Sequence, residues 1–166
     1  AMAWHSDKYY CTIDFKNLYQ CNRDYGYNAH PESSPVDKSL SIHTFSDKMI
    51  FTLQAKEVLS NSMGKYTDEM YNTSFFNHPV FSPDGSRMIF LFRYFKGKQK
   101  VHNLLLWDKG TNTYSLIFEK LISHYNWLNN TELLYWGKNL ENEKGYHIIN
   151  VITSEIKTVN VELPDG

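Results

Sequence analysis

Residues 77–92 read Asn77-His78-Pro79-Val80-Phe81-Ser82-Pro83-Asp84-Gly85-Ser86-Arg87-Met88-Ile89-Phe90-Leu91-Phe92 and place a polar turn between two apolar segments. Pro83 to Ser86 favours a tight turn, because proline presets a negative φ and glycine accepts a positive one. The run from Met88 to Phe92 is apolar at every position, as in a strand that is covered on both faces. This segment therefore predicts two strands within a stack of β-sheets.

The same order of residue types recurs twice along the chain. One copy reads His124-Tyr125-Asn126-Trp127-Leu128-Asn129-Asn130-Thr131-Glu132-Leu133-Leu134-Tyr135-Trp136, and a truncated copy reads Trp4-His5-Ser6-Asp7-Lys8-Tyr9-Tyr10-Cys11-Thr12-Ile13. A repeat of about 40 to 50 residues, each with several short strands, is typical of β-propeller blades. We therefore predict an all-β fold with about three four-stranded blades, as part of a six- to eight-bladed ring.

The predicted organisation is a single propeller domain or fragment over residues 3–166. Its blades cover residues 3–61, 74–120 and 121–163, and the first blade carries a long insertion at 17–37. The predicted strands cover residues 9–15, 39–45, 49–53, 78–82, 87–94, 101–107, 113–118, 125–128, 133–137, 146–152 and 156–161. A short helix at 55–61 and a surface crossing at 62–71 lead from the first blade to the second.

Three blades raise a problem of closure, because closed propellers have about four to eight. An open stack leaves an apolar face and unpaired strand edges exposed. Either the chain is part of a longer protein, or copies associate to cover the open ends. Two copies would supply six blades, so a homodimer that closes the propeller is one expectation.

Composition narrows the classes of partner. The 166 residues include 17 basic and 18 acidic side chains, for a net charge of −1. A near-neutral chain has no broad positive field, which argues against nucleic acid and anionic membranes as partners. There is no apolar run of the roughly 18 residues that would span a bilayer, and no recognisable signal peptide. We expect a soluble chain of unassigned compartment, with Cys11 and Cys21 as free thiols.

The motif from Asn77 to Gly85 resembles the WD40-like repeat of TolB-type propellers. With Asn77 in front, it is also similar to oligogalacturonate lyase and to bacterial propellers linked to polysaccharide biosynthesis. The strand from Tyr10 to Phe15, followed by Leu18 and a loop that ends in Tyr25-Gly26-Tyr27, resembles the same set. The resemblance implies a propeller fold, and its link to polysaccharides suggests a carbohydrate partner.

For the lyase, the resemblance implies a divalent metal, usually Mn²⁺, held largely by histidines over the central channel, and β-elimination of a uronate polymer. His78 matches the Asn-His-Pro position of the motif, and His124 is its equivalent in the next repeat. Both histidines are predicted to open the innermost strand of their blades near one rim of the channel. There they could bind a metal or an anionic sugar, or could hydrogen-bond a neighbouring blade in a purely structural role.

Two further groups are candidate ligand-binding residues. Arg93 and Tyr94 end a long strand, where an arginine could pair with a ligand carboxylate or form a structural ion pair. Long loops on a rigid scaffold often carry binding sites, and the insertion contains Tyr19, Arg23, Tyr25, Tyr27 and His30. It could contact a glycan or a protein, or fold over the blade edge with its tyrosines packed inward.

Together these patterns predict a non-catalytic binding or scaffold module that requires no cofactor. Its expected partner is a protein or an oligosaccharide, and the resemblance suggests a place in bacterial polysaccharide metabolism. The alternative is part of a metal-dependent, oligogalacturonate lyase-like polysaccharide lyase. The residues predicted to form the core are Phe81, Phe90, Leu105, Trp127, Leu134 and Ile149.

Overall fold

The computed structural model describes residues 3–5, 8–22, 36–63 and 65–160, without the side chains of residues 62 and 63. Within these residues the chain forms three four-stranded antiparallel sheets and three short helices. Every sheet is a meander in which each strand pairs with the strand before it in sequence. The all-β prediction is confirmed. None of the described helices is long and apolar enough to cross a membrane.

The first sheet contains β1 Ala3–His5, β2 Tyr9–Ile13, β3 Ser39–Thr44 and β4 Met49–Gln54. The helices are α1 Phe15–Cys21, between β2 and β3, and α2 Ala55–Met63 and α3 Asp68–Asn72, which lead to the second sheet. The second sheet contains β5 Phe75–Phe81, β6 Arg87–Lys96, β7 Gln99–Asp108 and β8 Thr113–Phe118. The third contains β9 Ile122–Trp127, β10 Glu132–Lys138, β11 Lys144–Asn150 and β12 Ile156–Val159.

Strand register confirms that the three sequence repeats are structurally equivalent. At the first turn of each sheet an aromatic residue pairs with the residue that follows the turn: Trp4 with Tyr10, Phe81 with Met88, and Trp127 with Leu133. The truncated first copy is therefore the start of a complete four-stranded sheet. In the middle copy Gly85 has φ 68°, as the turn required, and an added Cβ there would lie 2.6 Å from Nδ1 of His5.

Two apolar clusters hold the sheets together, and β6 belongs to both. Alternate residues of β6 face the first and the third sheet, so Phe90 lies in one cluster and Ile89 in the other. All five residues from Met88 to Phe92 are fully buried, as their continuous apolar run predicted. Because burial of apolar surface is the main favourable term in folding, the middle sheet anchors the other two.

The core prediction was right for five of its six residues. Phe81, Phe90, Leu105, Trp127 and Ile149 are buried. Leu134 is only half-buried, because it lies on the face of the third sheet that points away from the second. The prediction that both cysteines are free is confirmed.

Several predicted boundaries were wrong, and local capping explains two of the differences. The second strand ends at Ile13 because the Asp14 carboxylate accepts hydrogen bonds from the backbone N–H groups of Lys16 (2.8 Å) and Asn17 (3.1 Å) and starts α1 there. The predicted surface crossing contains α3, whose N-cap is Thr67.

The two histidines do not open their strands. β5 begins at Phe75 and β9 at Ile122, so His78 and His124 lie inside the strands. The predicted end of the last strand, residue 161, lies outside the described residues. Most of the predicted insertion, residues 23–35, lies outside them as well.

Candidate functional site

A β-bulge shapes the segment around His78. Asn77 pairs with Leu91 and Val80 with Ile89, so two residues of β5 stand opposite one residue of β6. His78 adopts φ 53°, a left-handed conformation that costs a non-glycine residue about 1–2 kcal/mol. Proline within a sheet is confined to edge strands or bulges, so Pro79 gives a sequence signal for irregular backbone here.

The bulge is held against the third sheet by two side chains of β9. The Tyr125 hydroxyl donates to the backbone carbonyl of His78. The Trp127 indole Nε1–H donates to the carbonyl of Val80 at 3.0 Å. A hydrogen bond to the neighbouring sheet, as in the structural role considered for His78, is therefore present at this position. In this bond the acceptor is the backbone carbonyl of His78 and not its imidazole.

The His78 imidazole lies in a partly buried setting near the Arg93 guanidinium. Burial, followed by the nearby Arg93 and His124, lowers the pKa of His78 to about 4. The ring is consequently neutral at pH 7. His124 is exposed, and its Nδ1 lies 2.8 Å from the Ser123 hydroxyl. His78 thus lies near the Arg93 guanidinium, which disfavours an added cation, whereas His124 lies on the outer face of the third sheet.

Arg93 links the two sheets from a buried position. The residue is only 5% exposed. Its Nε–H donates to Nδ1 of His102 at 3.0 Å, and its Nη2–H donates to the Ile122 carbonyl at 2.9 Å. Burial, followed by the Arg93 charge, lowers the pKa of His102 to about 4. Tyr94 lies on the opposite face of β6, in the cluster with the first sheet. The two residues that were predicted together therefore point to different interfaces.

The described residues do not form a ligand set for a metal. Among them, no group of three or more His, Cys, Asp or Glu side chains converges. A metal centre in a protein usually takes at least three such ligands, whereas His78 and His124 offer two, beside the Arg93 guanidinium. Within the described part of the chain, His78 and His124 alone would not complete a Mn²⁺ site.

The insertion begins as a structural helix. On α1, Leu18 is fully buried, and the buried Asn17 amide donates to the Ser74 carbonyl at 3.0 Å, next to the start of β5. Tyr19 is half-buried on the same helix. The other candidate residues of the insertion, Arg23, Tyr25, Tyr27 and His30, lie outside the described residues.

An open groove on the outer face of the third sheet was missed by the sequence analysis. It encloses about 610 Å³, and its lining includes His124, Tyr125, Asn126, Leu134, Trp136 and Tyr146. Trp136 is 41% exposed and makes an edge-to-face contact with Tyr146, with ring centroids 4.9 Å apart. Large aromatic side chains left partly in solvent mark a surface that can bind a partner.

The groove residues match residues that the second sheet buries. In the second sheet, Ile89 pairs with Leu106 and Leu91 with Leu104, and the third sheet covers all four. The corresponding cross-strand pairs of the third sheet are Leu134 with Ile148 and Trp136 with Tyr146. The outer face of the third sheet is therefore apolar at the same positions as the face of the second sheet that packs against the third.

The first sheet, at the opposite end of the stack, also exposes a residue whose equivalents are buried in the other two sheets. Trp4 is 71% exposed, whereas its equivalents Phe81 and Trp127 are 7% and 9% exposed. Phe81 and Trp127 are covered by a neighbouring sheet, and within the described residues Trp4 has no such neighbour. Both ends of the stack therefore expose side chains whose equivalents are buried between sheets.

Comparison with known proteins supports the fold. No family model matches the sequence, and no curated protein matches it. Among solved structures, the chain is similar to the β-propeller domain of the Trilobed protease from Pyrococcus furiosus, described as having an open velcro topology. The two share 14% identity with a TM-score of 0.50, over 93% of this chain and 39% of that chain.

The fold is therefore that of a β-propeller, and each four-stranded sheet corresponds to a blade. This chain spans about two fifths of the length of the protease chain that it resembles. At such low identity the likeness concerns the fold alone, because propellers host unrelated functions on one scaffold.

Proposed function

We propose that this chain is a non-catalytic binding or scaffold module of the β-propeller class, which binds a protein through the outer face of its third sheet. The observation that carries the proposal is the equivalence of Leu134, Trp136, Tyr146 and Ile148 to residues that the second sheet buries beneath its neighbour. A face with this pattern can pack against the apolar face of another sheet, with the two sheets about 10 Å apart as in other stacked sheets.

The chemistry of the groove favours a protein over a sugar. Leu134 and Ile148 form a cross-strand aliphatic pair beside Trp136 and Tyr146. Aliphatic side chains interdigitate with other side chains, whereas a sugar needs flat rings and many hydrogen-bonding groups. Tryptophan and tyrosine at the centre of a patch, with polar groups at its rim, are typical of protein interfaces. Asn126 and His124 supply such polar groups here.

Glycan contact and a place in bacterial polysaccharide metabolism remain predictions, which rest on the resemblance of the repeat motif and on the insertion. The lyase alternative also remains a prediction. No contact of the described residues favours either one over protein binding.

A photo-crosslinking experiment tests the proposal. Tyr146 is replaced by the photoreactive phenylalanine analogue p-benzoylphenylalanine, and the protein is illuminated in its native cells. The control carries the same group at Leu140, which is also exposed but lies in the loop between β10 and β11. We expect crosslinks at position 146 to map to strands of a partner protein, well above the yield at position 140. Equal yields at the two positions would refute the proposed surface.

A further inference from the structure

We infer that the partner is a second copy of this chain, docked head to tail, with Trp4 of one copy seated in the groove on the third sheet of the other. The inference rests on the proposed function, since it uses the same surface. It adds the identity of the partner, the side chain that enters the groove, and the polarity of the contact.

Trp127 provides the template for this contact. Its indole lies between the second and third sheets and donates to the Val80 carbonyl of the preceding sheet at 3.0 Å. Trp4 occupies the same place in the first sheet, since each residue pairs with the residue that follows the first turn. An indole at this position can thus hydrogen-bond the backbone of a preceding sheet, whereas the Trp4 indole is exposed to solvent.

The groove supplies the matching half of the contact. Asn126 precedes Trp127 as Val80 precedes Phe81, so the Asn126 carbonyl is the counterpart of the acceptor that Trp127 uses. Leu134 pairs with Asn126 as Ile89 pairs with Val80, and Trp136 lies two residues farther along its strand, as Leu91 does. The Trp4 indole of one copy would therefore donate to the Asn126 carbonyl of the other and pack on these apolar side chains.

The free face of the first sheet indicates how tight the contact is. Tyr10 stacks on His43 with ring centroids 5.0 Å apart, and Phe45 meets Tyr10 edge-on at 5.7 Å. Farther along the same face, the Ser41 and Thr52 hydroxyls bond each other at 3.0 Å. A face that is aromatic at one end and hydroxyl-bearing at the other is more polar than the inner faces, and such mixed interfaces are typical of reversible association.

Head-to-tail contacts have a definite consequence for assembly. Two copies joined by two identical contacts form a closed ring of six sheets, whereas contacts that fail to close form open chains. A symmetric contact between two third sheets would instead stop at two copies and leave both Trp4 side chains exposed. The role of Trp4 therefore distinguishes the two modes of assembly.

The test is light scattering coupled to size exclusion across a dilution series of the purified protein. We expect a reversible dimer whose dissociation constant rises at least about 30-fold in Trp4→Ala, as for an interface hot spot. Trp4→Phe should fall between wild type and Trp4→Ala, because Phe81 fills the equivalent place in the second sheet. The control Leu140→Ala, also exposed but outside the groove, should associate like wild type. Melting temperatures of all variants verify that they are folded.

A mixing experiment tests the polarity. Trp4→Ala lacks the inserted side chain and Trp136→Asp lacks an intact groove, so each alone should associate at least about 30-fold more weakly than the wild type. An equimolar mixture should associate more tightly than either variant alone, because one contact is wild type and both substitutions fall in the other contact, where the second defect adds little to the first. Failure to complement, an unchanged constant in Trp4→Ala, or a wild-type protein that is monomeric at every concentration would overturn the inference. In the last case, crosslinks from position 146 to a different protein would leave the proposed function standing.

Discussion

Replacement of Arg93 by methionine measures how the second and third sheets are joined. The residue is 5% exposed and donates to Nδ1 of His102 at 3.0 Å and to the Ile122 carbonyl at 2.9 Å. A hydrogen bond from a charged donor contributes about 1.5–3 kcal/mol. The buried charge also carries a desolvation cost that disappears with the guanidinium. For Arg93→Met we therefore expect the free energy of unfolding to fall by about 3 kcal/mol.

The control is Arg87→Met on the same strand. Arg87 forms an ion pair with Asp108 at 3.3 Å, but both side chains are partly exposed. Such surface pairs contribute about 0–1 kcal/mol. Both variants are unfolded in urea, and the midpoints are compared at equal slope. NMR titration should also show a higher pKa for His102 in Arg93→Met, since the Arg93 charge lowers that pKa in the wild type. If the two variants lose equal stability, Arg93 is not a structural link, and a ligand-binding role returns to consideration.

Three more predictions concern the core, the pH dependence and the metal. Phe90→Ala should lower the free energy of unfolding by about 3–5 kcal/mol, because Phe90 is fully buried. Leu134→Ala should lower it clearly less, because Leu134 is half-buried. Urea midpoints check both variants, and equal losses would contradict the assigned faces of the sheets. The lowered pKa values of His78 and His102, both about 4, mean that the unfolded chain binds more protons than the folded chain between about pH 6.5 and pH 4. The free energy of unfolding should therefore fall by about 2 kcal/mol as the pH falls through this window, after allowance for solvent screening of these partly exposed rings. If the double variant His78→Gln/His102→Gln shows no such dependence of stability on pH, the loss is assigned to these two histidines. Finally, millimolar Mn²⁺ should leave the melting temperature unchanged; a rise that His78→Ala abolishes would instead support the lyase alternative.

The repeat was the strongest predictor of the fold. The turn at Gly85 and the apolar run of β6 define two strands, and the recurrence of this pattern at Trp127 and Trp4 places three sheets. The α3 helix could also have been found, since Thr67 is a good N-cap and is followed by acidic residues in the first turn. The α1 helix was harder to predict, because Asp14 follows directly on a strand and no glutamate or glutamine three residues later completes a capping box.

The candidate site was predicted less well than the fold, for a physical reason. An apolar residue in a repeat indicates a face that can be buried, but not whether a neighbour covers that face. Leu134 was predicted as core from the apolar segment that contains it, but its equivalent Ile89 is core because a following sheet covers it, and no described sheet covers Leu134. Arg93 and Tyr94 are adjacent in sequence, yet they face different interfaces because side chains alternate along a strand.

The position of β6 between two separate apolar clusters has a consequence for how the chain opens. Each outer sheet packs on one neighbour, while the middle sheet packs on two. In a linear stack of this kind stability is close to a sum of contacts between nearest neighbours, so the ends open at a lower free energy than the centre. Amide protons of β6 should therefore exchange with solvent last, and those of β3 and β11 earlier. A ring has no ends, so its closure would protect all the sheets alike.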